Sequence, residues 1–372
     1  MKLVKLFLLL MCVMFLCGCN VKDYRTTITF ASWGSKTEID ILKPLLEDFE
    51  NKNPDIKVDF MHIPQNYFQK IHLLFASNTA PDVIFINNLY LPIYANAGVL
   101  EELQANKGFY PQALDALSFN GKLYAIPRDV SNLVIFYNKD MFDAKGISYP
   151  SNGWNFEEFL TDAKKLSGNG KFGISFEEEP LFYLPYLMSE GGGILPDEIN
   201  KPESQKALKF YADLRNKYHV APLKSESGSA TMAQMFLQER IGMYLSGRWL
   251  VPKIKDEAKF RWDIVEFPTG SKGSVVPLDA SGWAVSKSSK HKSEALRLVN
   301  YLSSEESLEH FAKSGLITPA RKNVAEKYAK SDLPENLDVF IKIITTSKPT
   351  PVTVDYREII DKLKKNTELL FM

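Results

Sequence analysis

Cysteine is scarce in this chain of 372 residues, and the three present, Cys12, Cys17 and Cys19, all lie before position 20. The remainder can therefore form no disulfide and use no thiolate. An excess of either charge is also missing, with 45 Lys and Arg against 45 Asp and Glu. Nucleic acid is excluded as a partner, because neutralising phosphates needs clustered positive charge. The one marked apolar run, residues 6–16, is too short to span a bilayer as a stable anchor, and no later run approaches that length. His62, His72, His219, His291 and His310 have no metal-ligand spacing, and HExxH, GxSxG, P-loop and CxxC patterns are absent. The sequence thus calls for no metal, no cofactor and no catalytic residue.

What is present begins with a processing signal. Lys2 and Lys5 precede the apolar run, and Leu16-Cys17-Gly18-Cys19 follows it. That tetrapeptide resembles the bacterial lipoprotein box, although Cys17 stands where Ala or Ser is usual. The resemblance implies a signal peptide over residues 1–18, a lipid such as palmitate on Cys19, and a polar tether over residues 20–26. The alternative is an uncleaved anchor helix. Removing residues 1–18 takes away Lys2 and Lys5 and leaves a near-neutral body of ~350 residues, long enough for two domains.

In that body, strand-like segments at residues 27–31, 56–60 and 81–86 alternate with helix-like ones, so a parallel sheet is expected. Pro44 should start or bend the first helix. Gly168, Gly170 and Gly173 fit the dinucleotide fingerprint but follow a helix and precede a strand, so they are read as a turn. Asn155 with Glu158, and Ser303 with Glu306, have capping-box spacing. Residues 121–140 organise the rest: the polar stretch Pro127 to Asn132 runs directly into the apolar strand Leu133 to Tyr137, as backbone does when it leaves one core for another. Residues 275–278 and 315–319 read as two further crossings.

Several blocks carry a family resemblance: AsnThrAlaProAspVal at 78–83, AlaGlyValLeu at 97–100, AsnGlyLysLeuTyrAlaIlePro at 120–127, PheTyrAsnLysAsp at 136–140, MetTyrLeuSerGlyArgTrp at 243–249, SerGlyTrpAlaValSer at 281–286 and TyrLeuSerSerGluGlu at 301–306. In this order and spacing they resemble the bacterial extracellular solute-binding proteins of the sugar-binding family, which includes maltose-binding and multiple-sugar-binding proteins. The resemblance implies an α/β fold of the two-lobed, type II periplasmic-binding-protein kind. Lobe 1 would comprise residues 27–130 plus 276–316, and lobe 2 residues 131–275 plus 317–372. It implies a monomer tethered outside the cytoplasm that captures a carbohydrate between its lobes, closes by hinge motion and presents it to the permease subunits of an ABC importer. A receptor for a non-sugar solute such as a polyol phosphate, and an extracellular glycosidase, are the alternatives.

Sugar recognition needs flat aromatic faces against pyranose C–H groups and polar side chains that replace water at the hydroxyls. Trp249, in the family's Gly-x-Trp setting, is the leading candidate, with Arg248 beside it. Trp33 and Trp283 stand on strand-end loops and Gly282 precedes the latter; packing is the competing role for all three tryptophans. By resemblance, Ser35 and Lys36 occupy positions of an acid and a lysine, Glu179 that of a hydroxyl-binding glutamate before proline, and Ser131 that of an acid. Arg128 and Asp129 stand before Ser131, either as ligand contacts or as a pair stapling the lobes. Asn87 and Asn88 are the polar groups after the Pro-Asp strand, Tyr183 follows the Glu-Pro pair, and Tyr356 lies near another family tryptophan. Glu177 to Glu179 could equally be a solvated acidic run. Because the tryptophan, aspartate and arginine of maltose binders become Ile86, Leu89 and Tyr90, linear malto-oligosaccharide is not the favoured ligand.

Overall fold

A computed structural model describes residues 24–328 and 335–372. The proposed signal peptide, tether start and Cys19 lie outside the described residues. Thirteen strands are assigned among those residues: β1 (Thr26–Ser32), β2 (Ile56–His62), β3 (Val83–Asn87), β4 (Ser118–Phe119), β5 (Lys122–Leu123), β6 (Ile126–Ser131), β7 (Leu133–Asn138), β8 (Phe172–Ile174), β9 (Ile241–Gly247), β10 (Trp262–Val265), β11 (Pro277–Val285), β12 (Thr318–Pro319) and β13 (Lys348–Pro349). No described helix is long and apolar enough to cross a membrane.

Two large sheets result, besides the two-stranded pair β4-β5. The first runs β12-β6-β11-β3-β1-β2, with β13 also on β11; the second runs β10-β7-β9-β8. β2, β1 and β3 are parallel, as the strand and helix alternation requires, while β11 is antiparallel to both β3 and β6. Each sheet has its own core. Ile28, Phe30, Ile84, Phe85 and Trp283 belong to the first, Phe136, Ile174, Tyr211, Met243 and Ile264 to the second.

The first helix, Lys36–Lys52, continues through Pro44 and buries Ile39, Leu42, Leu45, Leu46 and Phe49. Its start is set by Ser35, whose side chain accepts from the Glu38 N–H at 3.3 Å. The Asn155 and Glu158 capping box forms at the head of Phe156–Leu166. Helix Glu305–Ala312 is capped one residue later than the spacing suggests, by Ser304, which accepts from Ser307 N at 3.2 Å. Ser303 is instead buried, donating to Val299 O at 2.8 Å.

Asn132 alone separates β6, in the first sheet, from β7, in the second. Its Nδ2 donates to Phe340 O at 2.9 Å, tying the junction to the helix Val339–Lys342. Between Val276 of the second core and Leu278 of the first, the chain passes back. The crossing expected at residues 315–319 does not occur there. Thr318–Pro319 pairs with β6, and Ile317, Ala320, Val324 and Ala325 pack into the first core, because this segment supplies the sheet's edge strand and the helix Lys322–Tyr328 beside it. Leu337, Val339, Phe340 and Ile343 lie in the second core, Ile344 and β13 return to the first lobe, and the last helix, Tyr356–Phe371, packs Leu363 and Phe371 into the second.

Candidate functional site

Where β3, β11 and β6 end, their register lines up polar side chains. Ser281 pairs with Asn87 on one side and Asp129 on the other, and Asp279 pairs with Ser131. Cross-strand partners, and residues two apart on a strand, share a sheet face. Asn87, Ser281, Asp279, Ser131 and Asp129 therefore form one polar row, half-buried except for the more enclosed Asp129. The pairing skips Arg128, since Ser281 faces Asp129 and Gly282 faces Pro127. That bulge re-aims Arg128 so that adjacent residues can pair: its Nε donates to Asp129 Oδ1 at 2.6 Å. Gly282 is what lets the strands approach, because a Cβ there would sit 2.2 Å from Ile126 O.

Arg128 is 7% exposed and also donates to Glu38 Oε1 at 2.7 Å, with its guanidinium 4.2 Å from the Phe85 ring centroid. Both carboxylate partners belong to the first lobe, so Arg128 does not staple the lobes. Asp279 Oδ1 accepts from Asn88 Nδ2 at 3.0 Å and from Thr350 Oγ1 at 2.6 Å. Asn88 Oδ1 in turn accepts from Ala280 N at 3.1 Å. Burial pushes the Asp279 carboxyl above its usual range although both donors favour the ionised form.

On the same lobe, a concavity of about 610 Å³ is lined by Trp33, Ser35, Lys36, Glu38, His62 and Gln65, and Glu38 connects it to Arg128. Trp33 is half-buried and leans on Phe85, Tyr67 and Phe68, with centroid distances of 4.3, 5.0 and 5.2 Å. Exposed Lys36 pairs with Asp40 at 2.5 Å.

From the second lobe, β9 delivers Arg248 and Trp249. Arg248 is 6% exposed, and its Nε donates to Gly315 O of the first lobe at 3.2 Å, which places this strand end at the seam between the lobes. Burial lowers its pKa to about 10. Trp249 is 43% exposed. Its indole lies on Gly247, where a Cβ would come within 1.9 Å of Cζ3, so the Gly-x-Trp spacing is a packing requirement of this ring. Glu179 is exposed, pairs with Lys364 at 2.6 Å and precedes the helix Pro180–Glu190. Tyr356 is half-buried, its hydroxyl pKa raised first by burial and then by nearby Asp279 and Tyr183.

The structure removes four candidates. Trp283 is 1% exposed and sits among Phe85 and Phe311, a core residue. Tyr183 is 0% exposed and packs on Tyr211 and Phe371. Gly282 serves strand approach, and Asn88, with its amide occupied on both sides, orients Asp279. Sequence reasoning missed Asp279, Ser281, His62 and Glu177. Glu177 is half-buried, with no side-chain partner among the described residues, and burial beside Glu179 and Glu178 pushes its carboxyl up to about 7 despite Arg215. Its one advance sign was the acidic run; Asp279 gave none, because only strand register sets it opposite Ser131.

Residues 45–337 match the family described as bacterial extracellular solute-binding protein. The chain belongs to this family. The galactooligosaccharide-binding protein of Bacillus subtilis is 24% identical over 352 residues, covering 88% of this chain and 80% of that protein. Among solved structures, the ABC substrate-binding protein Lmo0181 of Listeria monocytogenes, in complex with cycloalternan, has TM-score 0.85 and 27% identity, covering 93% of this chain and 94% of the other. A Thermotoga lettingae ABC transporter solute-binding protein bound with alpha-D-tagatose has TM-score 0.79 and 23% identity over the same shares, a likeness of fold. As an extracellular solute-binding protein the chain has the two-lobed α/β architecture of these neighbours.

Proposed function

We propose that this solute-binding protein captures a carbohydrate between its lobes and hands it to the permease of an ABC importer. The observation that carries the reading is the composition of the two strand-end faces. One lobe offers a row of hydroxyl, amide and carboxylate groups, and the other offers an exposed indole next to Arg248, which bonds across the seam. Hydroxyls take the polar row, and the apolar face of a pyranose covers the indole. The sugar-bound Lmo0181 and the oligosaccharide-binding relative support the ligand class. A ligand touching both lobes binds the closed arrangement better, and that difference drives closure. Cys19 carries a lipid that holds the protein, as a monomer, on the outer face of the cytoplasmic membrane or its equivalent.

Calorimetric titration of the purified protein with neutral mono- and oligosaccharides, alongside polyol phosphates, tests the reading. Expected is binding of at least one saccharide, with compaction in small-angle scattering. Binding of polyol phosphates alone would replace it with the non-sugar alternative. Hydrolysis of an aryl glycoside, lost in Glu179→Gln, would replace binding with catalysis. Mass spectrometry of the membrane-extracted protein checks the lipid on Cys19.

A further inference from the structure

Arg248 borders a further space between the lobes, a cavity of about 270 Å³. Its walls come from the head of the helix Val251–Glu257 in the second lobe and from Ala312 to Gly315, at the end of the helix Glu305–Ala312, in the first. It shares no lining residue with the polar row or the Trp33 concavity, because Gly315 leads into β12, and β12 borders β6 on the side away from β11. Arg248 is 6% exposed and donates from Nε to Gly315 O, with its guanidinium carbon 5.9 Å from the Phe340 ring centroid. Neither terminal nitrogen has a hydrogen-bond partner among the described residues, and neither is among the fully enclosed polar atoms. The fork therefore opens on the cavity. Lys313 and Lys255 stand on the same wall, and no acidic residue is among the described residues that line it. Burial disfavours the charge of Arg248, yet the group stays protonated at neutral pH.

We propose that this seam cavity is a site for a small phosphate-type oxyanion, separate from the saccharide cleft, in which the terminal nitrogens of Arg248 take two oxygens and Lys313 adds a second positive charge. A planar fork of N–H donors matches an oxyanion edge, and such charge-assisted bonds are the strong ones. Lys313 is exposed, so its part is that of a point charge which salt weakens. The carbonyl end of the helix Glu305–Ala312 would repel an anion, and Arg248 Nε offsets this by covering Gly315 O. Pockets for drug-sized ligands begin at about 300 Å³, so a cavity of this size takes a single small anion and not a sugar phosphate. Because its walls belong to different lobes, the bound anion favours the arrangement in which they meet. The proposal does not depend on the carbohydrate reading.

Calorimetric titration with inorganic phosphate at low ionic strength, in wild type, Arg248→Met and Lys313→Gln, tests the site. Expected is saturable binding of one phosphate per chain, weakened about tenfold or more in Arg248→Met and about threefold in Lys313→Gln. Lys313 lies at the surface, so its variant keeps the fold whatever becomes of Arg248→Met. A neutral saccharide that binds the wild type, added to saturation, should leave one phosphate bound. No phosphate binding by the wild type, unchanged affinity in either variant, or displacement of phosphate by the saccharide overturns the site. A wild type that binds phosphate with these variant effects, and binds no saccharide, overturns the receptor reading and leaves the oxyanion site standing.

Discussion

On the first lobe, Arg128, Glu38, Asp129, Asp279, Asn88 and Thr350 hold one another in hydrogen bonds of 2.6 to 3.0 Å. On the second, Trp249 is 43% exposed and Glu179 pairs with Lys364 at the surface. The first face is fixed before any guest arrives; the second can adapt to one. In a closing receptor this division lets one lobe set the identity of the ligand's hydroxyls while the other covers its carbon face. Preorganised acceptors avoid an ordering cost on binding, whereas an exposed ring is ordered when it is covered.

The sharpest way to break the comparison is to exchange the roles of its tryptophans. Trp283→Ala should lower folding stability by about 3–5 kcal/mol in denaturant melts, as large core deletions do. Trp249→Ala should leave stability nearly unchanged and reduce saccharide affinity at least about tenfold. Equal destabilisation by both would erase the distinction. Next, Arg128→Met should cost about 3–5 kcal/mol of stability, because Glu38 and Asp129 lose their shared cation inside the protein. A near-neutral effect would mean that water, not Arg128, holds those carboxylates.

The smallest effect concerns Glu177. Its folded carboxyl titrates at about 7 against an ordinary 4.5, so the folded state binds more protons than the unfolded one between those values. Stability contributed by its neutral form is present at pH 5 and lost as the pH rises through 7. Glu177→Gln should therefore raise the melting temperature at pH 8 and change it little at pH 5. The same offset at both would show that burial and the neighbouring Glu179 do not raise this carboxyl.

Legibility differed between the two faces for a physical reason. Trp249 is visible in the sequence because its position follows from a local motif: a strand, a glycine the indole must cover, then the ring. Asp279 stood unnoticed directly after the segment 275–278 read as a crossing, and Ser131 was a candidate only because it occupies an acid's position in the family. Strand pairing places Asp279 directly opposite Ser131, 148 positions earlier in the chain. The Trp283 expectation failed because strand-end position says nothing about which side of a sheet a ring occupies, and the core took it. The third crossing failed likewise: Gly315 to Pro319 has turn chemistry, but edge pairing with β6 kept the segment in the first lobe.

The sequence alone determined a chain without disulfides or thiolate chemistry beyond its first 19 positions, the alternation of strands and helices, and the family blocks that announce a solute-binding protein. Those properties depend on composition and on neighbours within a few residues. Tertiary structure alone decided which polar groups share a face and which tryptophan stays in water. Such matters depend on register between strands separated by more than a hundred residues, and no local pattern encodes that pairing.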